Sequence, residues 1–170
     1  MTSASDPDPS RLAAFWAARL ADMPHLPEPQ PAAWAFGATP AHADDLLALV
    51  IQGVKTATAS ALWDHEATGE PVPVEGELSI ILDGRSVPRA LIETARVRIV
   101  PFHEVDAAHA AAEGEGDRSL THWRQVHECY WREHSANPRG YEPGMPVVCE
   151  EFRLLYPPVG VKAGEPAEVD

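Results

Sequence analysis

The stretch Leu78-Ser79-Ile80-Ile81-Leu82-Asp83-Gly84-Arg85-Ser86-Val87-Pro88-Arg89-Ala90-Leu91-Ile92-Glu93-Thr94-Ala95-Arg96-Val97-Arg98-Ile99-Val100 decides the fold class. Leu78, Ile80 and Leu82 alternate with Ser79 and Ile81. From about Arg89 to Val100, Leu91, Glu93, Ala95, Val97 and Ile99 alternate with Ile92, Thr94, Arg96 and Arg98. A repeat of two is the period of a strand, whose successive side chains point to opposite faces. Asp83-Gly84 between the two runs is a turn signal, so the stretch is expected to form an antiparallel hairpin.

The sequence on either side reads as helical. Ser10 can cap a helix over about 11–22, in which Leu12, Phe15, Trp16, Arg19 and Leu20 recur at helical spacing. Pro24, Pro27, Pro29 and Pro31 then impose an extended connection to Trp34 and Phe36. Thr39 as cap, Pro40 at the first helical position and Asp44-Asp45 in the early turns open a second helix. Its apolar face is Leu46, Leu47, Val50 and Ile51, and Gly53 ends it. After the hairpin, a short Ala-rich helix is expected from about Glu104 to Ala112. The loop Glu113-Gly114-Glu115-Gly116-Asp117 follows, then a helix capped by Ser119 and a final strand from Val147 to Tyr156. Helices gathered around paired strands, without alternating βαβ units, argue for an α+β fold with a mostly antiparallel, barrel-like sheet.

Composition narrows the partners. The chain has 170 residues and is 45% hydrophobic, enough for one core-forming domain. Against 13 Lys and Arg stand 26 Asp and Glu, a formal charge of −13. Tight non-specific RNA binding draws on phosphate neutralisation by basic side chains, so it is disfavoured, whereas a nucleoside, a nucleotide or a short single-stranded RNA is not. Two cysteines, Cys129 and Cys149, are too few for a disulfide framework and fit a reducing compartment. No run approaches the roughly 18 apolar residues of a membrane span. The acidic, Pro-rich start does not read as a secretory signal, so a cytoplasmic location away from membranes is expected.

Three segments together resemble the ASCH domain family, which is similar to the PUA-like group of small β-barrel domains. One runs from Phe36-Gly37 through Asp44-Asp45-Leu46 to Gly53-Val54-Lys55-Thr56-Ala57-Thr58, with the spacing G-x-K-x-x-T. Another is Glu113-Gly114-Glu115-Gly116-Asp117 followed by Ser119-Leu120, Trp123-Arg124 and His127. The last is Val147-Val148-Cys149-Glu150-Glu151-Phe152. The resemblance covers about 34–156. It implies a PUA-like small β-barrel with flanking helices, here with an extra N-terminal helix, and a link to RNA-derived ligands. The expected organisation is a disordered lead over 1–9, an N-terminal helix and Pro-rich connection over 10–33, the ASCH domain over 34–156 and a mobile tail over 157–170.

The resemblance also implies chemistry, because characterised ASCH proteins include amidohydrolases acting on N4-acetylcytidine and a reported ribonuclease. Carried onto this sequence, Lys55 is the base, Thr58 the nucleophile and Glu115 the acid or oxyanion-side group. Trp63, Glu113, Asp117 and Trp123 are the candidate substrate-binding residues. A Thr hydroxyl is inert until a neighbour takes its proton, and a Lys serves as base only when its own proton is lost. An ionised Glu115 beside Lys55 works against that. Lys55 and Thr58 face the same side only if a helical turn follows Gly53. Each residue also has a purely structural account: Lys55 near a helix C-terminus, Thr58 as a strand former, the acidic loop as a solvated turn, Trp123 as part of a packed helix face.

No cofactor is expected. A divalent cation enters only under the alternative of a metal-assisted single-strand ribonuclease using Glu113, Glu115 and Asp117, and the spacings among His122, His127, Cys129 and His134 match no zinc site. A non-catalytic RNA- or nucleotide-binding module is the other alternative.

Overall fold

A computed structural model describes residues 6–161. Its elements are α1 (Pro9–Asp22), β1 (Ala32–Trp34), α2 (Pro40–Ile51), β2 (Ala57–Ala61), α3 (Leu62–Thr68), β3 (Leu78–Leu82), β4 (Pro88–Pro101), α4 (Ala107–Glu113), α5 (Leu120–His134) and β5 (Pro146–Tyr156). The strands form one sheet in the order β1-β3-β4-β5-β2. The expected hairpin is β3–β4, antiparallel, with Ile80 opposite Leu91. β1 joins β3 in parallel and β2 pairs antiparallel with β5. This is the α+β, PUA-like class.

The hairpin connection is longer than the two-residue turn that Asp83-Gly84 suggested. The Asp83 carboxylate accepts hydrogen bonds from the Arg85 and Val87 backbone N–H groups at 2.9 and 3.0 Å and from Arg89 Nε at 2.8 Å. These bonds hold a five-residue loop with Ser86 at φ 59°.

The chain falls into two compact units. Among the described residues, one gathers 6–53, Leu78–Glu93 and 154–161. The other gathers Val54–Glu77 and Thr94–Arg153. In the first, Leu12, Trp16 and Leu26 pack with Ile80, Leu82 and Leu91. The N-terminal helix is therefore a core element, and Arg19 lies over the Tyr156 ring at 3.5 Å. Its cap is Asp8 rather than Ser10, because Pro9 occupies the first helical position and the Ser10 N–H donates to Asp8 Oδ1 at 2.9 Å. Thr39 caps α2 as expected, accepting from the His42 N–H at 3.2 Å, and Gly53 follows at φ 74°.

Within the tail expected from 157, the Gly160 N–H donates to the Ile51 carbonyl at 2.9 Å, so 157–161 are attached to the end of α2. The remainder of that tail, 162–170, and residues 1–5 of the expected lead lie outside the described residues. Among the described residues no helix is long and apolar enough to cross a membrane.

The second unit is built on Phe102, Trp123, Trp131, Met145 and Val147, with the small residues Ala61, Ala110 and Cys149 letting α4 and α5 approach the strands. α4 begins later than the sequence suggested. Phe102–Glu104 form a 3-10 turn, and Asp106 then caps α4 by accepting from the His109 N–H at 2.8 Å. α3, unforeseen in the sequence, follows β2 without a linker.

Candidate functional site

Lys55 lies between Gly53 and the start of β2, where the chain is extended. The Thr56 N–H donates to the Ala112 carbonyl at 2.8 Å and the Phe152 N–H to the Thr56 carbonyl at 2.9 Å. Ala57 and Ala61 are buried and Ala61 packs with α4 and α5, so the odd positions of β2 face those helices. The Lys55 side chain reaches the end of α4. Its Nζ donates to Glu115 Oε1 at 2.9 Å, to the Glu113 carbonyl at 3.4 Å and to Glu113 Oε2 at 3.5 Å. The Lys55 and Glu113 side chains are 1% and 2% exposed and that of Glu115 is 21% exposed. The cluster therefore has a sealed floor and one carboxylate at its rim.

Glu113 is the centre. Its Oε1 accepts from Trp123 Nε1 at 2.7 Å and from His109 Nε2 at 2.9 Å, and its Oε2 faces His127 Nε2 at 3.4 Å beside Lys55. Four donors meet the roughly four lone-pair sites of one carboxylate, so its acceptor capacity is filled. Burial acts most strongly on this group and opposes its ionisation. The hydrogen bonds from His109 and His127, with the charges of His127 and Lys55, outweigh burial and hold the carboxyl well below its ordinary value of 4.5.

Tautomers follow from the same contacts. His127 Nδ1 lies 2.9 Å from the Trp123 carbonyl, which only accepts, so Nδ1 carries a hydrogen. His109 Nδ1 is buried without a partner. Its Nε2 lies 2.9 Å from the Glu113 carboxylate, which only accepts, so the His109 hydrogen belongs on Nε2.

The structure thus brings Lys55, Glu113 and Glu115 together and leaves Thr58 elsewhere. Thr58 lies within β2, opposite Glu150 in register, on the face turned away from α4 and α5. The helical turn that would align it with Lys55 is replaced by extended chain. Nζ makes three donor contacts, to two carboxylates and a carbonyl, the contact set of a cationic donor rather than of the base the resemblance implies.

The substrate-binding candidates diverge. Glu113 is spent on its four partners. Trp123 is 3% exposed, stacks on His127 with ring centroids 4.1 Å apart, and orients Glu113 rather than offering a face to a ligand. Asp117 turns to α5, accepting from the Ser119 N–H at 2.9 Å. Trp63 is half-buried, with the Arg139 guanidinium over its ring at 4.5 Å. The three acidic-loop carboxylates do not converge. Among the described residues no group of three or more His, Cys, Asp or Glu is arranged to hold a metal ion.

His109 escaped the sequence reading, and His127 entered it only within a family segment and a rejected zinc spacing, not as a partner of Glu113. Their signal was helical spacing: His109 to Glu113 and Trp123 to His127 are each four apart, which places each pair on one helix face.

Gly114 ends α4 at φ 75° and sends Glu115 toward Lys55. A Cβ there would meet the Val54 carbonyl oxygen at 2.8 Å. Gly114→Ala is expected to cost about 2 kcal/mol or more, from left-handed backbone strain plus this backbone contact. Thermal denaturation checks it, and an unchanged midpoint would contradict the close approach.

Comparison with known proteins gives the same domain. The ASCH domain profile matches residues 32–156. A crystal structure of a protein from Enterococcus faecalis is similar over 86% of this chain and 88% of its own, at 34% identity and a TM-score of 0.77. A crystal structure of an ASCH domain from Lactobacillus crispatus shares the fold at 24% identity and a TM-score of 0.76, over 85% of this chain and 94% of its own. No curated protein matches the chain. With the profile match spanning most of the sequence, the chain belongs to the ASCH domain family.

Proposed function

We propose that this ASCH-domain protein is an amidohydrolase acting on a modified pyrimidine nucleoside of the N4-acetylcytidine type, with Lys55 and Glu115 at its catalytic centre. The observation that carries this reading is the buried Lys55 side chain, paired with the buried Glu113 carboxylate and with the more exposed carboxylate of Glu115. Amide hydrolysis needs a cationic donor where the carbonyl oxygen becomes an oxyanion, and a carboxylate that takes a proton from water and returns it to the leaving amine.

The roles divide accordingly. The substrate carbonyl takes the place of Glu115 at Lys55 Nζ, and Glu115, between Gly114 and Gly116, turns to a water. That water adds to the acyl carbon while its proton passes to Glu115. The tetrahedral centre, its oxyanion held by Lys55, collapses with cleavage of the carbon–nitrogen bond. Glu115 returns the proton to the exocyclic amine, leaving acetate and cytidine. Thr58 has no part in this sequence.

Net charge supports a small ligand over a long strand, since −13 opposes a polyanion. Divergence of Glu113 and Asp117 makes the metal-assisted ribonuclease the weaker reading.

The test is acetate release from N4-acetylcytidine. Wild type is expected to turn it over and Glu115→Gln to lose about a hundredfold or more, the usual weight of a general acid–base. Release no faster than in buffer, or equal rates for the two proteins, would reject the proposal.

A further inference from the structure

The other face of β2 carries a second set of reactive groups. β2 ends at Ala61 and α3 begins at Leu62, so the first turn of α3 folds His65 back over Ser60. Ser60 Oγ and His65 Nε2 are 2.8 Å apart and both residues are half-buried. Thr58 lies two residues before Ser60 on the same face, and Glu150, opposite Thr58 in register, is a diagonal neighbour of Ser60. Thr94 Oγ1 donates to Glu150 Oε1 at 2.6 Å.

We propose that Ser60 and His65 form a nucleophile–base pair for acyl transfer from neutral short-chain acyl esters, a site separate from the Lys55 cluster. The distance is that of a serine whose proton the imidazole can take. With Nε2 accepting from the hydroxyl, the ring hydrogen sits on Nδ1, which is buried and has no hydrogen-bond partner. Among the described residues no carboxylate bonds to Nδ1, so the pair is a dyad and not a triad.

Glu150 completes the face. Burial acts first and raises its carboxyl. The Thr94 hydrogen bond opposes that, Glu77 adds to it, and the charge of His65 opposes it. The carboxylates of Glu77 and Glu150 disfavour anionic substrates, which selects a neutral ester over a phosphoryl group.

The step balances with water alone. Ser60 Oγ bonds to the acyl carbon as its proton passes to His65 Nε2. The ester C–O bond breaks, and the departing oxygen takes that proton when it leaves as an alcohol. Water then attacks the acyl-serine with His65 as base, releasing the acid and restoring Ser60.

The probe is p-nitrophenyl acetate on the full chain, read as a nitrophenolate burst and as the acetyl mass increment on a Ser60 peptide. One acetyl group per chain on Ser60 is expected, absent in Ser60→Ala. His65→Gln, which keeps a hydrogen-bonding side chain without the base, is expected to slow labelling about a hundredfold with an unchanged circular dichroism spectrum. No labelling of wild type, acetylation on another residue that persists in Ser60→Ala, or an undiminished rate in His65→Gln would each overturn the assignment. Because Ser60 itself is read out and no nucleoside is used, the outcome is independent of the amidohydrolase reading.

Discussion

Glu113→Ala is expected to destabilise the protein by about 3–5 kcal/mol, the usual effect of removing one member of a buried charge pair. The carboxylate is 2% exposed and takes contacts from Lys55, His109, His127 and Trp123. Its loss leaves buried donors without acceptors, and the Lys55 ammonium keeps Glu115 as its remaining carboxylate among these contacts. Urea denaturation measures the loss, and a change within about 0.5 kcal/mol, as for an ordinary surface substitution, would refute this role.

The same residue sets a pH dependence. Its folded-state pKa is depressed, so the stability it contributes is fully present above its ordinary value of 4.5 and is lost as pH falls from there toward the depressed value. Wild type should therefore lose stability on acidification more steeply than Glu113→Ala. Parallel curves would mean that Glu113 is not held ionised by its neighbours.

The second large effect is on turnover. Lys55→Met keeps the length of the side chain and removes the charge, and it is expected to lower N4-acetylcytidine hydrolysis by about two to three orders of magnitude, as loss of an oxyanion donor does. Lys55→Arg should not restore the rate, because a planar guanidinium cannot place its donors where a compact ammonium meets Glu113 and Glu115 at once. Rate measurements on both variants decide the matter. Activity retained in Lys55→Met would remove Lys55 from the chemistry.

Much of this architecture was legible in the residues. The period of two between Leu78 and Val100, the Thr39-Pro40 start and the Ser119 cap are local signals, and the elements they mark stand at or near their expected bounds. Less local features were hidden. α3 lacks a capping side chain at Ala61, so nothing in the sequence announced it. The segment after Gly53 is extended because it bonds to Ala112 and Phe152, partners remote in sequence, and local propensity could not weigh these against a helical turn.

The candidate site was legible in part: two residues named from the sequence, Lys55 and Glu115, lie 2.9 Å apart, whereas the positions of Thr58 and Glu113 needed the register of β2 and the packing of α4 on α5. The acidic loop looked like a flexible presentation of three equal charges. In three dimensions its carboxylates have three tasks: Glu113 in the buried network, Glu115 at the rim and Asp117 at the cap of α5.

The most direct measurement of the central claim is a crystal structure of the protein bound to cytidine, the expected product. Catalysis by Lys55 and Glu115 requires the pyrimidine amine edge within hydrogen-bonding distance of Lys55 Nζ and Glu115, with Glu115 turned from its resting contact with Lys55. Cytidine bound elsewhere, with the Lys55–Glu115 contact intact, would contradict it.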